Sequence, residues 1–249
     1  MNKWQTNIPT CSILGVNVAV IDLDSLLKYM NANIDSIRGK YITVANVHTT
    51  VTAFENSAYQ NVQNQAAITL PDGGPLSTYQ RKHGFDNARR VTGPDFMKEV
   101  FLDNKLHRHF FFGSTQETLS KLERVMKTQY PNAQVCGMYS PPFRKLSHSE
   151  ELRIVSMIND SNPDYIWIGL GAPKQENWML DHEDQFSGVM VGVGAGFDYF
   201  AGNIKRAPQW MQDRNLEWLY RLFQEPKRLF KRYFTTNIKY LYYTKICKK

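Results

Sequence analysis

The chain has 249 residues, which is enough for one large domain or for one domain with an appendage. Hydrophobic residues make up 42% and charged residues 21%, which excludes wholesale disorder, and the formal net charge of +7 favours a polyanionic partner. No run of about 18 apolar residues and no signal-peptide pattern occur, so we expect no transmembrane helix and a cytoplasmic protein.

Short β-rich runs alternate with helical patterns along most of the chain. An N-terminal segment, Ile13–Leu23, is a candidate antiparallel edge strand, and helices are clearest at Thr115–Gln129 and Ser149–Asp160. The first of these helices begins with Ser114-Thr-Gln-Glu117, which is predicted to form a capping box. Nearly continuous apolar character, typical of parallel strands buried on both faces, marks most of the predicted strands: Tyr41–Asn46, Ala66–Leu70, His109–Gly113, Ala133–Gly137, Asp164–Gly169 and Gly188–Gly194. The sequence therefore predicts an α/β fold with a Rossmann-like, mainly parallel sheet and flanking helices.

The pattern changes to continuous helix after about Pro208, with a break at Glu225-Pro226. From Arg221 onward nine of the 30 basic residues stand against one acid, Glu225, which leaves 21 basic and 22 acidic residues before it. We therefore divide the chain into a Rossmann-like body, 1–204, and a basic, aromatic helical appendage, 205–249. Its partner is expected to be nucleic acid or an anionic membrane surface.

Ligands of an open parallel sheet bind at the carboxyl ends of its strands, and four loops there are chemically suggestive. Leu70-Pro-Asp-Gly-Gly-Pro75 places Asp72 before two glycines, as a turn residue, a helix cap or a ligand contact. Gly113 and Ser114 open a helix whose free N–H groups could hold a phosphate or simply be capped. The third loop is Gly169-Leu-Gly-Ala-Pro-Lys-Gln-Glu176.

The fourth loop, Gly192-Val-Gly-Ala-Gly-Phe-Asp198, echoes a dinucleotide fingerprint too weakly to support a nicotinamide enzyme. The commonest zinc-peptidase, hydrolase and P-loop motifs do not occur in the sequence. Asp22 and Asp24 fit helix capping better than metal binding, and the cysteines, Cys11, Cys136 and Cys247, are too widely spaced for a disulfide framework or a CxxC site. We therefore expect no metal and no cofactor.

These loops occur in one order with other short motifs, and together they carry a specific resemblance over about residues 12–234. The chain resembles the WecG/TagA/CpsF family of bacterial glycosyltransferases (glycosyltransferase family 26). The matching segments are Ala45-Asn46, Leu70-Pro-Asp-Gly73, Arg90-Val-Thr-Gly-Pro-Asp95, Phe112-Gly-Ser114, Pro141-Pro-Phe143, Gly169-Leu-Gly-Ala-Pro-Lys-Gln-Glu176, Gly192-Val-Gly-Ala-Gly-Phe-Asp198, Lys205-Arg-Ala-Pro208, Leu216-Glu-Trp-Leu-Tyr-Arg-Leu222 and Glu225-Pro-Lys-Arg228.

The resemblance implies an inverting, metal-independent transfer of an N-acetylmannosamine-type sugar or related hexose from a UDP-sugar. The acceptor would be an amino sugar on undecaprenyl diphosphate, at the inner face of the bacterial membrane, in teichoic acid, capsule or other surface polysaccharide synthesis. By family match Asp72 is the general base, with Val44 where the family often has a threonine and Thr43 beside it. The substrate-binding candidates are Asn46, Gly73, Arg90, Gly113, Ser114, Gly171, Lys174, Gln175, Glu176, Arg206, Arg221 and Arg228.

Two other interpretations remain open from the residues alone. A nucleic-acid-binding α/β protein could use the basic, aromatic tail as an arm, which a salt-sensitive shift with random DNA would favour. A peripheral membrane scaffold without activity is the third, and binding of UDP would argue against it. The glycosyltransferase interpretation is preferred because it accounts for the loops and the tail together; it predicts no nucleic-acid partner and leaves a homo-oligomer open.

Overall fold

The computed structural model describes residues 6–246, so Cys247, Lys248 and Lys249 lie outside the described residues. The described chain forms one six-stranded sheet with parallel pairing throughout and the order β4-β3-β8-β7-β5-β6. Its strands are β3 Tyr41–Ala45, β4 Ile68–Pro71, β5 Arg108–Gly113, β6 Gln134–Tyr139, β7 Tyr165–Gly169 and β8 Val189–Gly192. The predicted fold class and all six predicted strands are confirmed.

Helices cover both faces of this sheet. Alternate residues of β3 show how the core divides, since Ile42 and Val44 belong to one apolar cluster and Tyr41 to another on the opposite face. Over the described residues the helices are α1 Leu23–Asn33, α2 Val47–Glu55, α3 Ser57–Gln65, α4 Gly74–Lys82, α5 Gly93–Leu102, α6 Gln116–Gln129, α7 His148–Asp160, α8 Lys174–Asp181, α9 Gly196–Phe200, α10 Gln209–Asp213, α11 Glu217–Gln224 and α12 Pro226–Ile246.

The N-terminal segment does not extend the main sheet, so the expected antiparallel edge is wrong. It forms a separate hairpin, β1 Thr10–Ile13 and β2 Val16–Ala19, with Leu14 and Gly15 at positive φ in the turn. Two residues in left-handed backbone are what a tight hairpin turn requires, and they close the strands on each other.

Two helix starts test the capping predictions. Asp22 caps α1, because its carboxylate accepts a hydrogen bond from Ser25 N at 2.7 Å. The capping box at Ser114 is wrong: Ser114 has a φ of +59°, whereas an N-cap needs extended backbone. The cap of α6 is Thr115, whose hydroxyl accepts from Thr118 N.

Between Pro208 and Ile246 the chain forms three helices, α10, α11 and α12. The predicted break at Glu225-Pro226 separates α11 from α12 and is confirmed, whereas the break between α10 and α11 was not predicted. Leu229 and Tyr240 of α12 are buried at 0% and 6% exposure, so this helix packs on the rest of the chain. Tyr240 joins the apolar cluster that also contains Ile13 and Val51. None of the described helices combines the length and the hydropathy that a membrane-crossing segment needs. The division at residue 204 stays a prediction.

Candidate active site

A cleft of about 580 Å³ lies at the carboxyl ends of β3, β4, β7 and β8, and α11 and α12 cover it. This is the edge at which an open parallel sheet binds ligands. Ten of the thirteen residues predicted as site residues line it: Asn46, Asp72, Gly73, Arg90, Gly171, Gln175, Glu176, Arg206, Arg221 and Arg228. The fold therefore brings together side chains from segments spread over most of the sequence.

Asp72 follows β4 directly and is anchored by its backbone, because Asp72 N donates to the carbonyl of Ala45 at 2.7 Å. Gly73 has a φ of +140°, a conformation that favours glycine, and it turns the chain into α4. The Asp72 carboxylate lies 3.7 Å from Arg90 Nε, too far for a hydrogen bond. Burial raises the pKa of the Asp72 carboxyl to about 6, against the opposing effect of Arg90. Such a group is ionised at neutral pH yet basic enough to accept a proton.

Arg90 and Arg206 are joined by one carboxylate, that of Glu217 at the start of α11. Glu217 accepts a short hydrogen bond from Arg90 Nη2 and lies 3.6 Å from Arg206 Nε. Arg206 also pairs with Asp95 on α5, and Gln212 accepts from its Nη2 at 3.0 Å. The C-terminal helices are thus tied to the cleft by ion pairs as well as by apolar contacts.

Gln175 holds two of the cleft loops together. Its Oε1 accepts from Gly171 N at 3.2 Å and from Gly194 N at 3.1 Å, so the loops after β7 and β8 share one side-chain oxygen. Its Nε2 donates to Glu176 Oε1 at 2.8 Å. Glu176 is fully buried and its pKa is raised by that burial. These contacts give Gln175 a structural role at the cleft floor.

Asn46 begins α2 with a reciprocal capping box. Its Oδ1 accepts from His48 N and Thr49 N, and Asn46 N donates to Thr49 Oγ1 at 2.8 Å. On the strand before it, Val44 lines the cleft, whereas Thr43 is on the other face and donates to Thr69 Oγ1 at 3.0 Å. A threonine hydroxyl from this strand is therefore not available to the cleft.

Two arginines of the C-terminal helices, Arg221 and Arg228, line the cleft. The Arg221 guanidinium lies 5.4 Å from the centroid of the Tyr199 ring, and Arg221 Nη2 donates to Glu225 at 3.2 Å. Arg228 pairs with the same carboxylate. Glu225 thus pairs with two arginines that both line the cleft.

Comparison with known proteins identifies the family of the chain. The model of the glycosyl transferase WecG/TagA/CpsF family matches residues 11–248. The chain belongs to this family. It is 31% identical to an N-acetylglucosaminyldiphosphoundecaprenol N-acetyl-β-D-mannosaminyltransferase of Staphylococcus aureus (strain MW2), over 90% of this chain and 89% of that protein. A protein of the same name from Bacillus subtilis (strain 168) is 30% identical over 83% and 80%. The protein is therefore a glycosyltransferase.

Three predicted site residues of this WecG/TagA/CpsF member do not line the cleft. Gly113 has a structural reason for being glycine, since a Cβ there would lie 2.7 Å from the backbone carbon of Gly169. Ser114 N donates to the carbonyl of Gly169 at 3.1 Å, which ties the ends of β5 and β7 together. Lys174 is exposed at the start of α8. Substrate contact by these three stays a prediction.

The sequence did not identify four residues that line the cleft from helices α2, α9, α11 and α12, namely His48, Tyr199, Glu217 and Arg232. Glu217 lies inside a segment that carried the resemblance, but a glutamate among apolar helix positions gives no sign of its partners. The low pKa of His48, caused by burial and then by Arg232, keeps its imidazole neutral at pH 7. No group of three or more potential metal-ligating His, Cys, Asp or Glu side chains occurs within residues 6–246.

Proposed function

We propose that this glycosyltransferase transfers an N-acetylmannosamine-type sugar, or a related hexose, from a UDP-sugar to an amino sugar on undecaprenyl diphosphate, with inversion and without a metal. The observation that carries the proposal is the Asp72 carboxylate, which has a raised pKa and lies beside Arg90 in a cleft with several arginines. The names of the S. aureus and B. subtilis relatives support the proposal of lipid-linked N-acetylglucosamine as the acceptor and of N-acetylmannosamine as the transferred sugar.

In the proposed reaction the acceptor hydroxyl oxygen attacks the anomeric carbon while the bond from that carbon to the UDP oxygen breaks. Asp72 takes the hydroxyl proton, and single displacement inverts the anomeric centre. The leaving diphosphate gains negative charge, which arginine side chains can stabilise. Arg221 Nε and Arg232 Nε support this role, because they are buried at the cleft without a hydrogen-bond acceptor among residues 6–246.

We propose further that the C-terminal appendage, residues 205–249, rests on the anionic inner face of the cell membrane. One face of α12 carries a row of exposed apolar side chains, Phe230, Phe234, Ile238 and Leu241. Their spacing of four, four and three residues keeps them on one side of the helix. Lys227 and Lys231 are exposed nearby. A helix that exposes an apolar row beside lysines is suited to lie in the interface of an anionic bilayer.

The test is a screen of UDP-sugars for UDP release in the presence of a lipid-diphosphate-linked N-acetylglucosamine analogue. We expect release with UDP-N-acetylmannosamine or a related donor, and only when the acceptor is present. Absence of release with every donor in the presence of the acceptor would contradict the proposed donor and acceptor.

Metal independence gives a separate prediction. Full activity should persist after dialysis against EDTA, because the arginines rather than a cation are proposed to stabilise the leaving diphosphate. The measurement is initial UDP release before and after EDTA, with Mg²⁺ or Mn²⁺ added back to a parallel sample. Loss with EDTA and recovery with either cation would contradict the prediction.

A further inference from the structure

Glu217 is the residue of the cleft whose position the proposed reaction does not yet explain. Its side chain is 10% exposed, and its carboxylate lies between the guanidinium groups of Arg90 and Arg206. A buried carboxylate next to the site of a leaving diphosphate repels that diphosphate and occupies arginines that could bind it. Because Glu217 weakens the binding of an anion in this cleft, we expect Glu217 to have a function that offsets this effect.

The geometry of Arg90 suggests what that role is. Arg90 can face either of two carboxylates, and it makes its hydrogen bond to Glu217 while its Nε stays 3.7 Å from Asp72. An arginine and a carboxylate prefer a bidentate pair with two parallel hydrogen bonds. Such a pair between Arg90 and Asp72 would occupy both oxygens of Asp72 and lower its basicity. With Arg90 engaged by Glu217, no such pair forms, and the Asp72 oxygens remain open toward the cleft.

We propose that Glu217 is a positioning residue that holds Arg90 away from Asp72 and so keeps the carboxylate of the base free for the acceptor hydroxyl. The proposal rests on the proposed function of Asp72. Because Glu217 is the first residue of α11, a C-terminal helix controls the availability of Asp72, which follows strand β4. The charged groups that act on Asp72 are Arg90, Glu217, Asp95 and Arg221, and Tyr199 is the neighbouring phenol.

The test compares Glu217→Gln with the parental protein by two readouts. The first is the titration of the Asp72 carboxyl, followed by carbon NMR and assigned by the signal that Asp72→Asn removes. Since Glu217 is itself a source of the raised pKa and its removal also frees Arg90, we expect the midpoint to move down by about one pH unit. The second readout is kcat/KM for UDP release, which should fall about tenfold at pH 8 because the base is weaker and occupied.

Asp213→Asn is the matched control. Asp213 is an exposed carboxylate on the same segment, and it accepts from Gln209 at 2.8 Å away from the cleft. Its removal changes the net charge by the same amount as Glu217→Gln and should leave the Asp72 midpoint unchanged. A second comparison repeats Glu217→Gln in an Arg90→Gln background, where less than half of the shift should remain because Arg90 can no longer turn to Asp72.

An unchanged or raised Asp72 midpoint in Glu217→Gln would overturn the proposal, and so would an equal shift in the Arg90→Gln background. If Glu217→Gln does not fold, Glu217→Asp keeps the charge but withdraws the carboxylate by one methylene, and a smaller shift in the same direction is expected. The NMR titration needs no substrate. Failure of the proposed function would therefore appear as absent UDP release, separately from the outcome for Glu217.

Discussion

Replacing Asp72 with asparagine is expected to lower turnover by about 10²- to 10⁴-fold, the usual contribution of a general base. Asparagine keeps the size of the side chain but cannot accept the proton of the acceptor hydroxyl. Binding of the UDP-sugar should change little, because Arg90 keeps its hydrogen bond to Glu217 in the variant. The measurements are UDP release at saturating donor and acceptor, and calorimetric titration of the donor. Turnover at the parental rate would exclude Asp72 as the base.

The same substitution should also stabilise the folded protein at high pH. The folded-state pKa of Asp72 is about 6, above its ordinary value of 3.8, so ionisation favours the unfolded chain. The loss of folding stability from this ionisation is complete above about pH 6. It is absent below about pH 4, where the carboxyl is protonated in both the folded and the unfolded chain. We expect Asp72→Asn to raise the free energy of unfolding by about 1–3 kcal/mol at pH 8, with the gain disappearing by pH 4.

Asp95→Asn gives the opposite result and serves as the contrast. Although burial opposes it, pairing with Arg206 holds the pKa of Asp95 below its ordinary value. An ionised Asp95 therefore stabilises the fold, and this contribution is lost as the pH falls through the folded-state pKa. Denaturant unfolding at pH 8 should show Asp95→Asn less stable and Asp72→Asn more stable than the parent. A change of the same sign in the free energy of unfolding of both variants would contradict the conclusion that ionised Asp72 destabilises the fold.

Replacing both Phe230 and Phe234 with serine should reduce binding to anionic liposomes by at least about 100-fold. Each ring is 61% exposed, so its transfer into a bilayer interface gains on the order of 1.5 kcal/mol or more. Activity on a lipid-linked acceptor in liposomes should fall in parallel, while UDP release with a water-soluble acceptor analogue should persist. Co-sedimentation with phosphatidylglycerol vesicles measures the first effect.

Leu102→Ser with Leu106→Ser is the matched control. These leucines are 54% and 66% exposed, but they precede β5. They therefore lie near the amino end of that strand, whereas the cleft lies at the carboxyl ends of the strands. Their replacement should leave liposome binding unchanged. Equal losses in the two double variants would contradict a membrane-binding role of α12. Truncation at Lys227 is a poorer test, because it would also remove the buried Leu229 and Tyr240.

The sequence predicts the sheet well because its strands are nearly all apolar and its loops carry glycine. It predicts much of the cleft for the same reason, since Asn46 and Asp72 follow strands directly, and Gly171 and Gln175 lie in the loop and the first turn of the helix after β7. The cost of relying on loops is seen at Gly113 and Ser114, whose conformation serves the packing of β5 against β7. Glycine at a strand end marks close approach, but it does not say whether a ligand or the backbone approaches.

Two misses show what the sequence does not reveal. Glu217 is paired with Arg90, which is far away in the sequence, and no local pattern encodes that partnership. The helix predicted between Pro208 and the break at Glu225-Pro226 is two helices, because Asn215 adopts a φ of +59° between α10 and α11, which local propensity did not indicate. The ion pair and the left-handed residue therefore required the structure.

The strand order also bears on how the chain folds as it is made. β3 lies next to the edge strand β4 and pairs on its other side with β8, and the paired residues Ile42 and Val191 are about 150 residues apart along the chain. On a ribosome, β3 emerges well before its central neighbour exists, so this pairing must wait for most of translation. Until then β3 has β4 on one side and an open hydrogen-bonding edge on the other. We expect nascent chains that stop before β8 to aggregate or to bind chaperones, and the cleft to form only after β3 and β8 have paired.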